Sequence, residues 1–167
     1  WDEMWEGVLH LVPPPLGYHQ GVGSELFLVL APLAKVRGLE ARYETGLFRP
    51  GTDVDYRIPD LMFTSPSRLT RRGVDGAAEL VVEILSPGDE SYAKLDWYAG
   101  LGVAEMLVVD PDTLAVELFR GTPDGPAQAT AGGDGALWSD VLGASFATVA
   151  GAIRITWEGG QADVTSA

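Results

Sequence analysis

Residues 57–98 read RIPDLMFTSPSRLTRRGVDGAAELVVEILSPGDESYAKLDWY, and the rest of the chain is interpreted from this stretch. Asp60 lies at the start of one apolar run. Glu83 lies inside a second, near-continuous run that is typical of a strand buried on both faces. A charged residue in such a strand must be paired or must bind a cation. The helical pattern that follows carries Lys94.

Two carboxylates and one amine in this order indicate metal-dependent phosphodiester hydrolysis. A divalent ion held by Asp60 and Glu83 would activate water and neutralise charge on the phosphate, and Lys94 would add to the second effect. Each residue also has a structural alternative. Asp60 is compatible with a strand edge or turn, and Glu83 with a buried ion pair to an arginine. Lys94 lies four residues after Glu90, a spacing that favours a surface ion pair.

Hydrophobic periodicity predicts one mixed sheet with helices packed against it, in a single domain over residues 1–167. Helices are expected from 17 to about 36, with a kink or split at Pro32, and from Ser86 to about 101. Ser86, Pro87, Asp89 and Glu90 supply the start signals of the second helix. Strands are expected at 5–12, 40–44, 47–49, 56–64, 80–85, 105–110, 114–119 and 153–157. The region 121–135 reads as a loop and the tail after 159 as loose.

Composition limits the classes of function. The net charge is −13, and three of the arginines, Arg68, Arg71 and Arg72, cluster in one loop. The loop could contact nucleic acid, since phosphate binding needs such cations. The alternative is an ordinary solvated loop. The chain has no cysteine, which excludes disulfides and thiolate ligands and fits a cytoplasmic location. No apolar run reaches the roughly 20 residues of a membrane span.

The two histidines have structural interpretations from the sequence alone. His19 lies on the apolar face of the first helix, where a core or capping histidine is more common than a metal ligand. His10 alternates with valines and is expected to be structural or exposed. No phosphate-binding loop, GxSxG, HExxH or Cys/His cluster is present, so those chemistries find no support.

The order of these motifs resembles the Uma-two family of restriction-endonuclease-like proteins, within the PD-(D/E)XK nuclease superfamily. The resemblance covers residues 5–120 approximately. It rests on Pro59-Asp60, VEILSP at 82–87, Lys94, Tyr98 and GVAEMLVVDP at 102–111.

The resemblance implies a fold, an ion and a set of catalytic residues. The implied α/β (α+β) fold is a restriction-endonuclease-like mixed central sheet flanked by helices, with additional N-terminal and C-terminal strands. Asp60 and Glu83 would bind Mg²⁺ or Mn²⁺, Lys94 would steady the nucleophile or phosphate, and Glu25 would be a further acid near the metal. The superfamily places its lysine two residues after the second acid, where this chain has Leu85. Lys94, on the following helix, would take the place of that superfamily lysine.

Two hypotheses follow. The first is a metal-dependent endonuclease that hydrolyses phosphodiester bonds of nucleic acid, acting as a homodimer or higher homo-oligomer. The second is a catalytically inactive nuclease-fold binding or assembly module. The charge of −13 favours the second, because it repels a polyanion at low salt over a range of about 10 Å.

Overall fold

The computed structural model describes residues 2–12, 14, 16–88 and 90–166. These residues form two α-helices, α1 (Gly17–Val36) and α2 (Ser91–Leu101), and a 3₁₀ turn at Pro66–Arg68. The fifteen strands of the described chain are β1 (Glu3–Trp5), β2 (Val8–His10), β3 (Glu40–Tyr43), β4 (Leu47–Phe48), β5 (Tyr56–Arg57), β6 (Leu61–Thr64), β7 (Val74–Asp75), β8 (Leu80–Ile84), β9 (Glu105–Val109), β10 (Val116–Thr122), β11 (Gly125–Gln128), β12 (Leu137–Ser139), β13 (Ala144–Val149), β14 (Ala152–Trp157) and β15 (Gly160–Val164).

A six-stranded mixed sheet with the order β11-β10-β9-β8-β6-β3 forms the centre of the molecule. Within it, β8 and β9 pair in parallel and the other neighbours pair antiparallel. The connection between β8 and β9 passes through α2, as a parallel pair requires a crossover. The mixed sheet predicted from the sequence is therefore present.

The two helices cover opposite faces of this sheet. Successive side chains of a strand point to opposite faces. Val82 packs in one buried cluster with Leu26 of α1, and Val81 packs in another with Leu95 and Tyr98 of α2. Glu83 shares the parity of Val81, so its side chain is directed towards α2.

A smaller sheet lies at the N-terminal side, with the order β2-β1-β5-β4-β7. The single strand expected at 5–12 is instead the hairpin β1–β2, which turns at Glu6 and Gly7 with φ of 45° and 88°. The single strand expected at 56–64 is also wrong. Pro59 has no N–H for a ladder, and the chain passes there from β5 in the small sheet to β6 in the central sheet.

The first helix has the predicted bounds, and the second begins later than predicted. The helix α1 continues through Pro32, so the expected split is not found. The helix α2 begins at Ser91 rather than near Ser86, because Gly88 adopts φ +77°, which no right-handed helix allows. Asp89, one of the predicted start signals, lies outside the described residues.

The C-terminal part has more regular structure than the sequence suggested. The predicted loop at 121–135 contains β11, and the predicted loose tail contains β15. The strands β12 to β15 form an antiparallel sheet in chain order, and its apolar residues join the cluster on the α1 side. In the part of the chain that is described, neither helix combines the length and apolar character needed to cross a membrane.

Candidate active site

Asp60 lies at the corner between the two sheets, directly before β6. Its Oδ2 accepts a hydrogen bond of 2.7 Å from the amide of Ile84 at the end of β8. Its Oδ1 lies 3.3 Å from Nε2 of His19. Two separate elements therefore fix the orientation of this carboxylate, which faces a cavity.

Glu83 is 3% exposed near the end of β8. Its two carboxylate oxygens, Oε1 and Oε2, lie 3.3 Å and 3.1 Å from Nζ of Lys94. The hydroxyl of Tyr98 donates a further hydrogen bond to Oε1. Burial, together with the charges of Asp60 and Glu3, raises the pKa of Glu83 to about 8 against the opposing charge of Lys94. The sequence-based alternative of an arginine partner is wrong, since the cation is Lys94.

Lys94 points into the protein, with 11% of its side chain exposed. Because α2 begins at Ser91, Lys94 lies in its first turn, close to the end of β8. Burial lowers the pKa of Lys94, but the charges of Glu83 and Glu3 outweigh burial and raise it overall. The alternative of a surface pair with Glu90 is not found, because the Glu90 carboxylate lies 2.7 Å from Nδ1 of His10.

Glu3 is a third buried carboxylate at this place, and the sequence analysis missed it. Its Oε1 lies 2.9 Å from Nζ of Lys94, and the side chain is 2% exposed. The strand β1 brings it there by pairing with β5, where Met4 lies opposite Tyr56. No local signal separates Glu3 from the neighbouring acids Asp2 and Glu6, so only long-range strand pairing identifies it.

His19 lies in the first turn of α1 and is buried against Asp60. Its Nδ1 is buried without a hydrogen-bond partner among the described residues. Burial lowers the pKa of His19, but the hydrogen bond and charge of Asp60 outweigh burial, so the pKa is raised above its ordinary value. His19 is thus a buried histidine, as expected, but it contacts a candidate site residue.

These side chains share one cavity of about 630 Å³. Its charged and imidazole lining comes from Glu3, His19, Glu44, Asp60, Glu83, Glu90 and Lys94. Within residues 2–12, 14, 16–88 and 90–166, no three His, Asp or Glu side chains form a ready-made metal cage. An ion here would therefore rely on few protein ligands, which is the coordination that Mg²⁺ favours, with water in the other positions.

Glu25 is not brought to this cavity. It lies on α1, and its Oε2 accepts a 3.3 Å hydrogen bond from the amide of Thr165, beyond β15. The residues of α1 that line the cavity are His19 and Gln20. A role for Glu25 at the candidate active site has no geometric support.

The arginine cluster also lies away from the cavity. The loop leaves β6 at the end opposite Asp60, and β7 is three strand spacings, roughly 14 Å, from β1. Arg72 forms ion pairs with Asp53 and Asp75, and Arg68 donates to the carbonyl of Ala77. Arg71 is exposed. Two of the three cations are therefore engaged within the protein.

The mixed sheet, its two flanking helices and the acids at the strand ends define a restriction-endonuclease-like fold. A solved structure with the same arrangement is described as "a putative nuclease belonging to DUF820 from Anabaena variabilis". It is 23% identical in sequence, covers 74% of this chain and 74% of its own, and has a TM-score of 0.62. At that identity the likeness concerns the fold.

Residues 3–149 match the family model described as "Uma2: Putative restriction endonuclease", and the chain belongs to this family. The family and fold predicted from the sequence are thus confirmed. The match extends past residue 120, where the sequence resemblance was expected to end, and it includes Glu3. A comparison with curated proteins finds no match.

Proposed function

We propose that this chain is a metal-dependent endonuclease that hydrolyses phosphodiester bonds of nucleic acid. The observation that supports the proposal is the convergence of Asp60, Glu83 and Lys94 on one cavity. They come from a sheet corner, a central strand and a helix, and the family to which the chain belongs carries the description "Putative restriction endonuclease".

The residues of the cavity fit a divalent ion. Asp60 and Glu83 supply two carboxylates to the cavity wall, and Lys94, which also contacts Glu3, is the lysine beside them. Burial, and to a smaller extent the charges of Asp60 and Glu3, raise the pKa of Glu83, and a bound cation would stabilise its charged form. Oxygen donors of this kind suit Mg²⁺ or Mn²⁺. Asp60 and Glu83 would hold the ion.

The protein residues then have distinct tasks. A bound divalent ion would lower the pKa of a water molecule and polarise the phosphate. Asp60 is oriented by the Ile84 amide and by His19, which keeps its carboxylate directed at the cavity. Lys94 places a positive charge beside the same cavity, where it would stabilise negative charge that develops on the phosphate.

A second candidate function is a catalytically inactive nuclease-fold binding or assembly module. The specific observation that favours it is the position of the Lys94 ammonium, which already contacts oxygens of Glu83 and Glu3. In this alternative the lysine neutralises the acids permanently, and no metal ion binds.

Calorimetric titration of Mg²⁺ and Mn²⁺ separates the two functions. The wild type should bind an ion at millimolar concentrations, and Asp60→Ala and Glu83→Ala should each abolish binding. Asp163→Asn removes an exposed carboxylate far along the chain and should leave binding unchanged. Absence of ion binding by the wild type would contradict the endonuclease proposal and support the binding module.

Cleavage assays follow if the ion binds. Supercoiled plasmid and single-stranded DNA or RNA should be cut by the wild type with metal, and Lys94→Ala should lower the rate by about a hundredfold or more, since removing one preorganised donor typically costs this much. A homodimer remains a separate proposal, which sedimentation equilibrium would decide.

A further inference from the structure

Glu3 is a buried acid that accepts two hydrogen bonds besides its contact with Lys94. Its Oε1 accepts a 2.8 Å hydrogen bond from the amide of Ile58, and its Oε2 accepts a 2.8 Å hydrogen bond from the indole of Trp5. The first of these ties Glu3 to the segment that carries Asp60. With both oxygens occupied, the carboxylate has a fixed position beside the cavity.

The second observation concerns the donors of Lys94. Its ammonium has three N–H groups, and it makes three contacts with carboxylate oxygens. The contact with Glu3 is 2.9 Å, whereas the two contacts with Glu83 are 3.1 Å and 3.3 Å. Glu3 is therefore the nearer partner, although it comes from a different sheet.

We propose that Glu3 is a positioning residue that holds Lys94 at the cavity independently of Glu83. This role rests on the proposed function, because it matters once a metal ion engages Glu83. A Glu83 that held an ion would contact Lys94 less closely, and Glu3 would keep the ammonium beside the cavity. Without Glu3, the lysine would either follow Glu83 or leave the site.

The composition of the chain offers a direct readout. Lys35 and Lys94 are the two lysines of the sequence. Lys35 is exposed in the last turn of α1 and serves as an internal reference. Acylation of the metal-free protein with an amine-reactive ester, followed by peptide mass spectrometry, gives the rate at Lys94 relative to Lys35. A lysine bound to carboxylates reacts slowly, because the unprotonated amine is the reactive form.

Three variants test the proposal. Glu3→Gln should raise the relative rate at Lys94 roughly tenfold, the equivalent of one charge-assisted hydrogen bond. Glu83→Gln imitates a Glu83 whose charge is neutralised, and Lys94 should still react more slowly than Lys35 in this variant because Glu3 still holds it. Asp163→Asn removes one negative charge from β15 and should leave the rate unchanged. The proposal is overturned if Glu3→Gln leaves the rate at Lys94 unchanged, or if Glu83→Gln alone raises it to the rate at Lys35.

Circular dichroism shows whether each variant folds. If Glu3→Gln does not fold, Trp5→Phe removes the indole donor to Oε2 and keeps the carboxylate. It should raise the rate at Lys94 severalfold, and an unchanged rate would again contradict the proposal. The labelling is done without metal, so it tests the contact between Glu3 and Lys94 separately from the proposed function. A wild type that binds no ion in the calorimetric titration would contradict the proposed function and leave the labelling result to decide the role of Glu3.

Discussion

Glu83 and Glu105 are buried glutamates on the adjacent parallel strands β8 and β9, and their surroundings differ. Glu105, at the start of β9, accepts hydrogen bonds from the Ser139 hydroxyl, from the Asp140 amide at 2.8 Å and from Arg120 at 2.9 Å. Glu83, near the end of β8, is contacted by the ionisable side chains of Lys94 and Tyr98 and lines a cavity.

The difference shows that burial alone does not identify a functional carboxylate. Glu105 joins the turn after β12 to the central sheet through a backbone amide and a hydroxyl, which are donors that do not titrate at neutral pH. Glu83 instead has a buried ammonium and a buried phenol as its donors, and the opening beside it can admit an ion. The kind of donor and access to a cavity separate a structural glutamate from a candidate catalytic one.

The largest expected effect tests this difference through stability. Glu105→Ala leaves the Ser139 hydroxyl and the Asp140 amide without their acceptor and should lower the free energy of unfolding by about 3 kcal/mol. Because burial raises the pKa of Glu83 to about 8, the side chain is protonated in the folded protein at pH 6, and Glu83→Gln there exchanges one neutral group for another and should change the free energy of unfolding by less than about 1 kcal/mol. Urea unfolding monitored by fluorescence measures both. An equal loss in the two variants would make Glu83 a structural residue like Glu105.

The next effect is a pH dependence in metal-free protein. The folded-state pKa of Glu83 is raised from 4.5 to about 8, so its protonated form favours folding. The protonated form of Glu83 stabilises the folded protein fully below the unfolded-state pKa of 4.5, and this stabilisation is lost as the pH rises from 4.5 to about 8. One pKa unit corresponds to about 1.4 kcal/mol, so a loss of at least about 1 kcal/mol between pH 5 and pH 8 is expected.

The control for this pH dependence is Glu83→Gln, in which the free energy of unfolding should fall less steeply between pH 5 and pH 8 than in the wild type. Urea unfolding midpoints measured across this pH range in both proteins give the comparison. Parallel curves for the two proteins would contradict the assignment of the slope to Glu83.

The smallest expected effect concerns the cation beside Glu105. Arg120 has 38% of its side chain exposed, so solvent screens its ion pairs with Glu105 and Asp140. Arg120→Met should cost less than about 1 kcal/mol in urea unfolding. Ser139→Ala, which removes a buried donor, should cost more than Arg120→Met. The reverse order would mean that the ion pair, rather than the hydroxyl and amide, stabilises Glu105.

The sequence was informative where the signal is local. A carboxylate in an apolar strand indicated Glu83, a proline-aspartate at a strand start indicated Asp60, and a lysine soon after indicated Lys94. Hydrophobic spacing also predicted the bounds of α1. The family and the mixed α+β fold followed from these motifs and are confirmed.

Prediction failed where distant parts of the chain decide the structure. The run at 56–64 looked like one strand because the switch of sheets at Pro59 depends on β1 and β8, which lie far along the chain on either side. Glu3 was missed for the same reason. Gly88 was a local signal against a helix start at Ser86, since a glycine often adopts a positive φ that no right-handed helix allows. The residues around it, Ser86, Pro87 and Glu90, nevertheless look like the first turn of a helix, and the prediction followed them.

The pairing of β1 with β5 has a consequence for how the protein matures. The contact between Glu83 and Lys94 spans 11 residues, whereas that between Glu3 and Ile58 spans 55. Contacts that are near in the chain tend to form sooner than distant ones. A folding chain whose hairpin β1–β2 has not yet paired with β5 can thus contain the central sheet and the ion pair of Glu83 with Lys94. It then has only part of the cavity wall, because Glu3 is not yet in place. Completion of the cavity wall and the last step of folding would then be one event.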